Sequence, residues 1–457
     1  MRLTLEDVIN ACGPVVGGQA PDEFAGVSTD TRTIKTGDLF VALKSDKADG
    51  HEFVEKAIEA GAGGVVVSAS TMSTAVPALI VEDTQVAYGQ IARAWRDKFD
   101  IPVIGVTGSV GKTTTKEMLA AALSPLGPIL KTAASQNNET GVPKALLQLS
   151  EEHKAAVVEM GMRGVGQIAY LSGIARPTIG LISLIAENHI ELLGSRDAIA
   201  DAKGELIDAL PVDGTAFLNA NDPYFPRLAA KTGAKVIGFA VEGAPTYGPI
   251  DFLATNPRLV DGAWTFDVNG QTVALKSPGR HDVGNAVSAF AVAVTLGVDP
   301  ADAASALAAY EPPPMRMQIV NAAWGGTVIN DAYNAAPASM KSALETLKAQ
   351  PGNRKIAFLG DMKELGDIAV EAHKELGRVI DSLGGIDALY TVGELAANIP
   401  NAARRFADSA EADAFAASDL AVDKGDVVLV KGSRAMKMER VANAISELIP
   451  TGRSAGE

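Results

Sequence analysis

One glycine-rich segment of the chain, Gly105–Thr114, combines residue types that bind phosphate. Its sequence is Gly-Val-Thr-Gly-Ser-Val-Gly-Lys-Thr-Thr, and it lies between the short apolar run 101–106 and a predicted helix. Glycines let the backbone turn tightly and point N–H groups at phosphate oxygens, and a helix N-terminus adds its positive dipole. A lysine here can reach the β- and γ-phosphates, and a threonine hydroxyl can bind Mg²⁺. The segment predicts a site for ATP and Mg²⁺, made by Gly108, Ser109, Val110, Gly111, Lys112, Thr113 and Thr114.

The loop departs from the strict phosphate-loop pattern, which has glycine six positions before the lysine. That position is Val106, and glycines stand at 105 and 108 instead. The loop is therefore not of the form found in small GTPases. The alternative interpretation is a glycine-rich turn between a strand and a helix, without a ligand.

Two further residues have the chemistry of a metal site. Glu159 directly follows the apolar run 155–158, and a carboxylate at a strand end suits Mg²⁺. Lys203 lies in a predicted helix, 196–210, where apolar residues surround it at spacings of three and four. Desolvation should lower the pKa of this lysine, and a neutral amine can add CO₂ to form a carbamate, an anionic metal ligand. The alternative is a lysine that extends to water.

Composition bounds the class of protein. The 457 residues carry a net charge of −15, which argues against nucleic acid as a partner because phosphate backbones require basic surfaces. Cys12 is the only cysteine, so no intramolecular disulfide forms, and a reducing cytoplasm is expected. The N-terminus has acidic residues where a signal peptide is apolar. The uncharged run 60–81 contains Gly, Ser, Thr and Pro77, which predicts two strands and no membrane span.

The pattern of elements predicts an α/β fold of three domains. Apolar strand-like runs alternate with helical patterns, as in parallel sheets covered by helices. The proline run after Glu311 is the clearest linker. We expect a small N-terminal α/β domain at 1–90, a central mononucleotide-binding parallel sheet at 91–311, and a Rossmann-like domain at 312–457.

Several blocks together resemble the Mur ligases and their folylpolyglutamate synthetase relatives. The phosphate loop from Thr107 onward is similar to the loop of that family. In the family's order there follow Ser135-Gln-Asn-Asn-Glu-Thr-Gly-Val-Pro143, Glu159-Met-Gly161, Asn188-His189 and Ala202-Lys203-Gly-Glu205. Three later blocks look like those of the members that add D-alanyl-D-alanine to UDP-N-acetylmuramoyl-tripeptide: Asp331-Ala-Tyr-Asn-Ala-Ala-Pro337, Leu359-Gly-Asp-Met-Lys-Glu-Leu-Gly366 and Val430-Lys-Gly-Ser-Arg434.

The resemblance implies an ATP-dependent amide ligase that works through an acyl phosphate, with Mg²⁺ as cofactor. UDP-N-acetylmuramoyl-tripeptide and D-alanyl-D-alanine would be its partners, and we expect a monomer. The catalytic residues would be Lys112, Glu159, His189 and Lys203, and the metal ligands would be Thr113, Glu159, His189 and carbamylated Lys203. The ATP site would be completed by Asn285, Arg316 and Asp331. The uridine nucleotide would be held by Ser28, Asp30 and Arg32, in a pocket of the family that Asp49-Gly-His51 also resembles, and the other substrate groups would be contacted by Asn137, Asn138, Tyr333, Asn334, Ser433 and Arg434.

Two positions depart from the resemblance. Ala336 stands where the D-alanyl-D-alanine-adding members commonly have a second asparagine, and Asp282 follows His281 where asparagine is common. Another ligase of the same fold, or a nucleotide-binding protein without catalysis, remains an alternative. Intact Lys112, Glu159, His189 and Lys203 argue against the second.

Overall fold

The computed structural model describes residues 2–16, 21–45, 48–68, 76–134, 136–186 and 190–448. Strands in this part of the chain form three large sheets and one small antiparallel ribbon. The predicted α/β class with parallel sheets is confirmed. No helix in the described ranges has the length and apolar character that crossing a membrane requires.

The first sheet has five strands in the order β2-β7-β6-β5-β4, and only β2 is antiparallel to its neighbour. The uncharged run 60–81 supplies two of these strands, as predicted. The first helix begins at Thr4, whose hydroxyl accepts the Asp7 N–H while the Asp7 carboxylate accepts the Thr4 N–H. The elements are β1 Leu3–Thr4, α1 Leu5–Cys12, β2 Val15–Val16, β3 Glu23–Phe24, β4 Val27–Ser28, β5 Leu39–Val41, a 3₁₀ turn Gly50–Phe53, α2 Val54–Glu59, β6 Gly64–Val67 and β7 Ala78–Ile80.

The central sheet has nine strands in the order β16-β15-β14-β13-β12-β11-β8-β10-β9. It is parallel from β9 to β14, and β15 and β16 add antiparallel at one edge. Its elements are α3 Thr84–Arg96, β8 Val103–Thr107, α4 Lys112–Leu123, a 3₁₀ turn Ser124–Leu126, β9 Ile129–Lys131, α5 Gly141–Leu146, β10 Ala155–Glu159, α6 Gln167–Ala175, β11 Ile179–Ile182, α7 Ile190–Leu193, α8 Arg196–Asp208, β12 Thr215–Asn219, α9 Phe225–Ala229, β13 Lys235–Val241, β14 Phe252–Val260, β15 Ala263–Val268, β16 Gln271–Ala274, α10 His281–Thr295 and α11 Pro300–Ala309.

The third sheet has six strands in the order β17-β18-β22-β19-β20-β21, of which only β17 is antiparallel to its neighbour. Helices cover both of its faces. Its elements are β17 Gln318–Asn321, β18 Thr327–Asp331, α12 Pro337–Ala349, β19 Lys355–Gly360, a 3₁₀ turn Gly366–Ile368, α13 Ala369–Leu383, β20 Ala388–Val392, a 3₁₀ turn Ala396–Asn398, β21 Arg404–Phe406, α14 Ser409–Ser418, β22 Val427–Lys431, a 3₁₀ turn Arg434–Met436 and α15 Glu439–Ser446.

Two elements show how the central region joins its surroundings. Strand β11 ends at Ile182. Beyond it the backbone turns to hold the phosphate loop, because the Ser109 N–H donates to the Leu184 carbonyl. Helix α3 runs through the predicted division at residues 90 and 91 and contacts both α1 and α6. The domain limits themselves stay a prediction.

One buried histidine fixes the loop after β19, which carries the block Leu359–Gly366. His373 of α13 is fully buried. Its Nε2 accepts the Met362 N–H at 3.0 Å and its Nδ1 lies 2.6 Å from the Ala369 carbonyl, to which it donates. Burial lowers the pKa of His373. The neutral ring is required, since a protonated Nε2 cannot accept the Met362 N–H.

This arrangement predicts a pH-dependent stability. The folded pKa of His373 lies below its unfolded value near 6.5, so the unfolded chain binds the extra proton. The contribution of neutral His373 to the unfolding free energy is complete above about pH 6.5. It is lost as pH falls toward the folded pKa, by at most about 1.4 kcal/mol per pH unit. In urea unfolding between pH 7 and 5, His373→Gln should show a shallower loss of unfolding free energy than the wild type. Equal slopes would contradict the assignment.

Candidate functional site

The phosphate loop joins β8 to α4 in a conformation that only glycine accepts at two points. Gly108 and Gly111 have φ of +150° and +87°. A Cβ at Gly108 would lie 2.0 Å from the Ser183 hydroxyl oxygen, and one at Gly111 would lie 2.6 Å from the Asn285 amide oxygen. The loop is therefore packed from behind and open only on its front. The Lys112 ammonium donates to the Gly108 carbonyl at 2.9 Å, across the concave side of the loop.

A cavity of about 860 Å³ opens in front of this loop. Residues from both sides of the proline linker line it, with a few from α3. The predicted site residues on its wall are Ser109, Val110, Gly111, Lys112, Thr113, Thr114, Asn137, Asn138, Glu159, Arg316, Asp331, Tyr333 and Asn334. The predicted residues that do not line it are Gly108, Lys203, Asn285, Ser433, Arg434, Ser28, Asp30 and Arg32.

Glu159, the last residue of β10, has one hydrogen-bonded carboxylate oxygen and one open oxygen, which has no hydrogen-bond donor among the described residues. The residue is 1% exposed. Its Oε1 accepts the Thr113 hydroxyl at 3.1 Å and the Asn137 amide at 2.7 Å. Its Oε2 is buried and has no hydrogen-bond donor among the described residues. A buried carboxylate oxygen without a donor is costly unless a cation binds it, so Glu159 and Thr113 fit Mg²⁺.

The other predicted metal ligands are less complete. His189 lies outside the described residues, and so does its neighbour Asn188. In the described ranges no three His, Cys, Asp or Glu side chains gather as a metal cluster. Within the described ranges, hydroxyl, water, phosphate or modified lysine ligands would complete a site beside Glu159.

Lys203 is buried in α8, as its apolar surroundings predict. Desolvation, and then repulsion by Lys112, place the pKa of Lys203 well below its ordinary value. No carboxylate in the described part of the chain forms an ion pair with it. This lowered pKa favours the neutral amine that a carbamate requires.

Arg316 reaches from the third sheet's side into the phosphate site. Its Nη2 donates to the Thr113 hydroxyl at 3.0 Å, and its guanidinium lies 4.0 Å from the centre of the Tyr333 ring. The flanking residues Met315 and Met317 have φ of +63° and +48°, which costs energy for side chains of this size. The linker is thus held in a strained form that places the Arg316 charge at the phosphate loop.

Asp331, the last residue of β18, faces the same cavity. Its Oδ1 accepts the Met317 N–H at 3.2 Å, and its Oδ2 is 2.5 Å from the Lys431 ammonium. A carboxylate has about four acceptor sites, so two remain for the hydroxyls of a ligand. This geometry supports the predicted ribose contact.

Family models match three stretches of the chain: Mur ligase family, catalytic domain, at 23–96; Mur ligase middle domain at 106–293; and Mur ligase, glutamate ligase domain, at 315–434. A Synechocystis protein named UDP-N-acetylmuramoyl-tripeptide--D-alanyl-D-alanine ligase is 40% identical over 93% of this chain and 92% of the relative. The chain belongs to the Mur ligase family.

Solved structures agree with this membership. MurF from Acinetobacter baumannii superposes with a TM-score of 0.88 at 32% identity, covering 98% of this chain and 99% of that one. The MurF ligase from Thermotoga maritima in complex with ADP gives 0.81 at 29% identity, covering 92% and 97%. A folylpolyglutamate synthase from Mycobacterium tuberculosis, at 17% identity and 0.61, shares the fold.

The departure of this Mur ligase from the expected pattern at Asp282 has a structural consequence. Asp282 is buried, receives a hydrogen bond from the Ser277 hydroxyl, and accepts the Asn285 amide N–H at 2.9 Å. The Asn285 oxygen accepts the Thr115 hydroxyl at 3.1 Å. Asp282 therefore fixes which way the Asn285 amide points. The other departure, Ala336, is buried on the cavity wall.

The predicted carboxylate clamp of this Mur ligase is engaged elsewhere. Arg434 is exposed and donates to Glu439 at 2.6 Å. Ser433 is buried; its hydroxyl accepts the Lys363 N–H at 2.9 Å and donates to the Ala335 carbonyl at 3.5 Å. Contact of Arg434 with a dipeptide requires that it leave Glu439.

The predicted uridine pocket lies in the first sheet's part of this Mur ligase. The Asp30 carboxylate accepts hydrogen bonds from Nε and Nη2 of the exposed Arg32 guanidinium, and those hydrogen bonds lower the pKa of Asp30 to about 2. The buried Ser28 hydroxyl donates to the Asp30 carbonyl at 3.0 Å. The three residues form one turn, at the end of β4.

Lys116 is a functional residue that sequence reasoning missed. Its side chain is fully buried, and its ammonium donates to the carbonyls of Thr132 and Ala134 at 2.8 and 2.6 Å. It also lies 3.1 Å from Glu117 and 3.7 Å from the open oxygen of Glu159. Its position four residues after Lys112, on the same helix face, was the available signal.

Removing Lys116 should destabilise the protein. Lys116→Met leaves two carbonyls unpaired and removes a cation that lies 3.7 Å from the buried Glu159 carboxylate, so the unfolding free energy should fall by about 3 kcal/mol. Lys131→Met is the matched control, because Lys131 also pairs with Glu117 but is 44% exposed; its effect should stay below about 1 kcal/mol. Urea unfolding measures both, and equal effects would refute the role given to burial.

Proposed function

We propose that this Mur ligase joins UDP-N-acetylmuramoyl-tripeptide to D-alanyl-D-alanine with hydrolysis of ATP to ADP and phosphate. Relatives named for this reaction in Synechocystis, Bacillus subtilis and Escherichia coli are 40, 36 and 35% identical and align over 92 to 97% of the chain. The single observation that carries the proposal is the cavity, where the phosphate loop, Glu159 and the block at Asp331 meet.

The chemistry follows from the poor reactivity of a carboxylate toward an amine. A carboxylate oxygen of the tripeptide attacks the γ-phosphorus of ATP, the bond to the β-bridging oxygen breaks, and ADP leaves. The dipeptide amine then attacks the acyl carbon, loses a proton and expels phosphate from a tetrahedral intermediate. Such reactions depend on positioning and on neutralising phosphate charge.

The residues around the phosphate loop supply that positioning. Lys112 would bind the β- and γ-phosphates, and the backbone N–H groups of the loop would hold the oxygens around them. Arg316, now on Thr113, would add a second positive charge. Thr113, Glu159, His189 and carbamylated Lys203 would hold Mg²⁺, which supplies neutralisation of phosphate charge when bound.

The remaining predicted residues divide among the substrates. Asn285 and Asp331 would hold the nucleoside of ATP. Asn137 and Asn138 would contact the tripeptide substrate, with Ser28, Asp30 and Arg32 at its uridine end. Tyr333 and Asn334 would face the dipeptide, whose carboxylate Ser433 and Arg434 would bind after Arg434 releases Glu439.

We place the reaction in the cytoplasm, where the single cysteine stays reduced, and we expect one chain to act alone, because its own residues surround the cavity. The net charge of −15 gives no support for a nucleic-acid partner.

Phosphate release from ATP tests the function. We expect release only when UDP-N-acetylmuramoyl-tripeptide and D-alanyl-D-alanine are both present, because the acyl phosphate needs the first and its consumption needs the second. A coupled phosphate assay with each substrate omitted in turn is sufficient. Release with glutamate and a folate, or with no acceptor, would refute the proposal.

Variants at Lys203 test whether this lysine carries a carbamate. Its amine nitrogen would bond to the carbon of CO₂ and release a proton, which arginine cannot do because it stays protonated. Lys203→Arg should keep the circular dichroism of the wild type and lose activity by about 100-fold. Lys203→Ala should regain part of its activity with added short-chain carboxylates. A fully active Lys203→Arg together with an unrescued Lys203→Ala would exclude the carbamate.

A further inference from the structure

Lys431 is a buried cation of the third sheet that no step above uses. It is the last residue of β22 and lies in register with Asp331, the last residue of the adjacent parallel strand β18. Its ammonium is 2.5 Å from the Asp331 carboxylate and 2.8 Å from the Asn334 carbonyl. One side chain therefore holds both the end of β18 and the turn that follows it.

Burial makes this double contact strong. The Lys431 side chain is 3% exposed, so its charge has little water to replace a lost partner. Lys431 also lines the cavity, where any ligand that displaces Asp331 or Asn334 acts on the same ammonium. The two partners cannot move independently without leaving a buried charge unpaired.

The contacts around Lys431 close into a ring. Asp331 accepts the Met317 N–H at 3.2 Å, and the Tyr333 N–H donates to the Met315 carbonyl at 3.1 Å. Between those two methionines, Arg316 stacks on the Tyr333 ring at 4.0 Å. The nucleotide-side residues Arg316 and Asp331 and the amine-side turn thus belong to one connected unit.

We infer that Lys431 is a positioning residue that couples nucleotide binding to dipeptide binding. Ribose hydroxyls on Asp331 fix the carboxylate, the carboxylate fixes the ammonium, and the ammonium fixes the Asn334 turn for the dipeptide. By linkage the dipeptide must strengthen nucleotide binding by the same factor. This inference rests on the proposed function, since it takes ATP and D-alanyl-D-alanine as the two ligands.

The test measures a coupling factor, which is the ratio of the dipeptide Kd without the ATP analogue to the Kd with it. Calorimetry gives the Kd of D-alanyl-D-alanine with UDP-N-acetylmuramoyl-tripeptide present, with and without a non-hydrolysable ATP analogue and Mg²⁺. In the wild type the analogue should lower this Kd by about tenfold, within the usual range for coupled sites. In Lys431→Met the ratio should fall to about one, whereas a purely structural defect would weaken binding in both states and keep the ratio.

Lys355→Met is the matched control. Lys355 is a second buried lysine of the same sheet, but it lies at the opposite, N-terminal end of β19 and donates to the Gly352 carbonyl. This variant should keep the wild-type ratio. If Lys431→Met does not fold by circular dichroism, Lys431→Gln replaces it, since a shorter neutral amide cannot hold both partners.

The outcomes separate the two ideas. A wild type that does not bind D-alanyl-D-alanine under any condition contradicts the proposed function. A wild type that shows coupling, together with a folded Lys431 variant that shows the same ratio, contradicts the role of Lys431 alone. A Kd ratio near one in the Lys431 variant, together with the wild-type ratio in Lys355→Met, supports the role of Lys431.

Discussion

The site depends on how the Glu159 carboxylate is buried. One oxygen is tied to the phosphate loop through Thr113 and to the predicted substrate loop through Asn137. The other is closed off from water and has no donor among the described residues. A buried carboxylate in this state favours a bound cation, because no hydrogen bond from the described residues compensates the desolvation of this second oxygen. The neighbouring elements keep the Glu159 carboxylate in this buried state.

Three lysines lie around this carboxylate and the phosphate loop. Lys116 lies 3.7 Å from the open oxygen, beyond hydrogen-bond distance, so it leaves the lone pairs of that oxygen unoccupied. Lys112 and Lys203 lie on separate helices, and desolvation lowers the pKa of both. A chain of net charge −15 thus concentrates lysines in one place, where an ATP phosphate tail would otherwise be repelled.

The sequence predicted the parts of this arrangement that depend on local pattern. The inward face of α4, with Met118, Leu119 and Ala122, is buried as its spacing indicates. Lys203 is buried for the same reason, because apolar neighbours at helical spacing leave its stem no route to water. Glu159 and Asp331 both line the cavity, each as the last residue of a parallel strand in its own sheet, because ligand sites form at the carboxyl ends of such strands.

What the sequence did not predict are contacts between residues far apart in the chain. Lys116 binds carbonyls 16 and 18 positions away, and Lys431 binds Asp331 at a separation of 100. Helical spacing from Lys112 indicates the face of α4 on which Lys116 lies but not its partners, because a buried lysine and a surface lysine look alike until the fold supplies those partners. Arg434 shows the converse: its place in a motif suggested a free clamp, and the fold pairs it with Glu439.

The linker explains how two sheets can share one reaction site. Arg316 contacts Thr113 only because Met315 and Met317 adopt left-handed backbone angles on either side of it. Such angles persist where surrounding contacts over-determine them, and here the Asp331 and Tyr333 hydrogen bonds to the same two residues do so. Arg316 and Asp331, which we propose to bind ATP, therefore belong to the contacts that hold the linker's shape. In the proposed function, a nucleotide that rearranges either residue would act on the linker, which would join phosphate chemistry to amine binding.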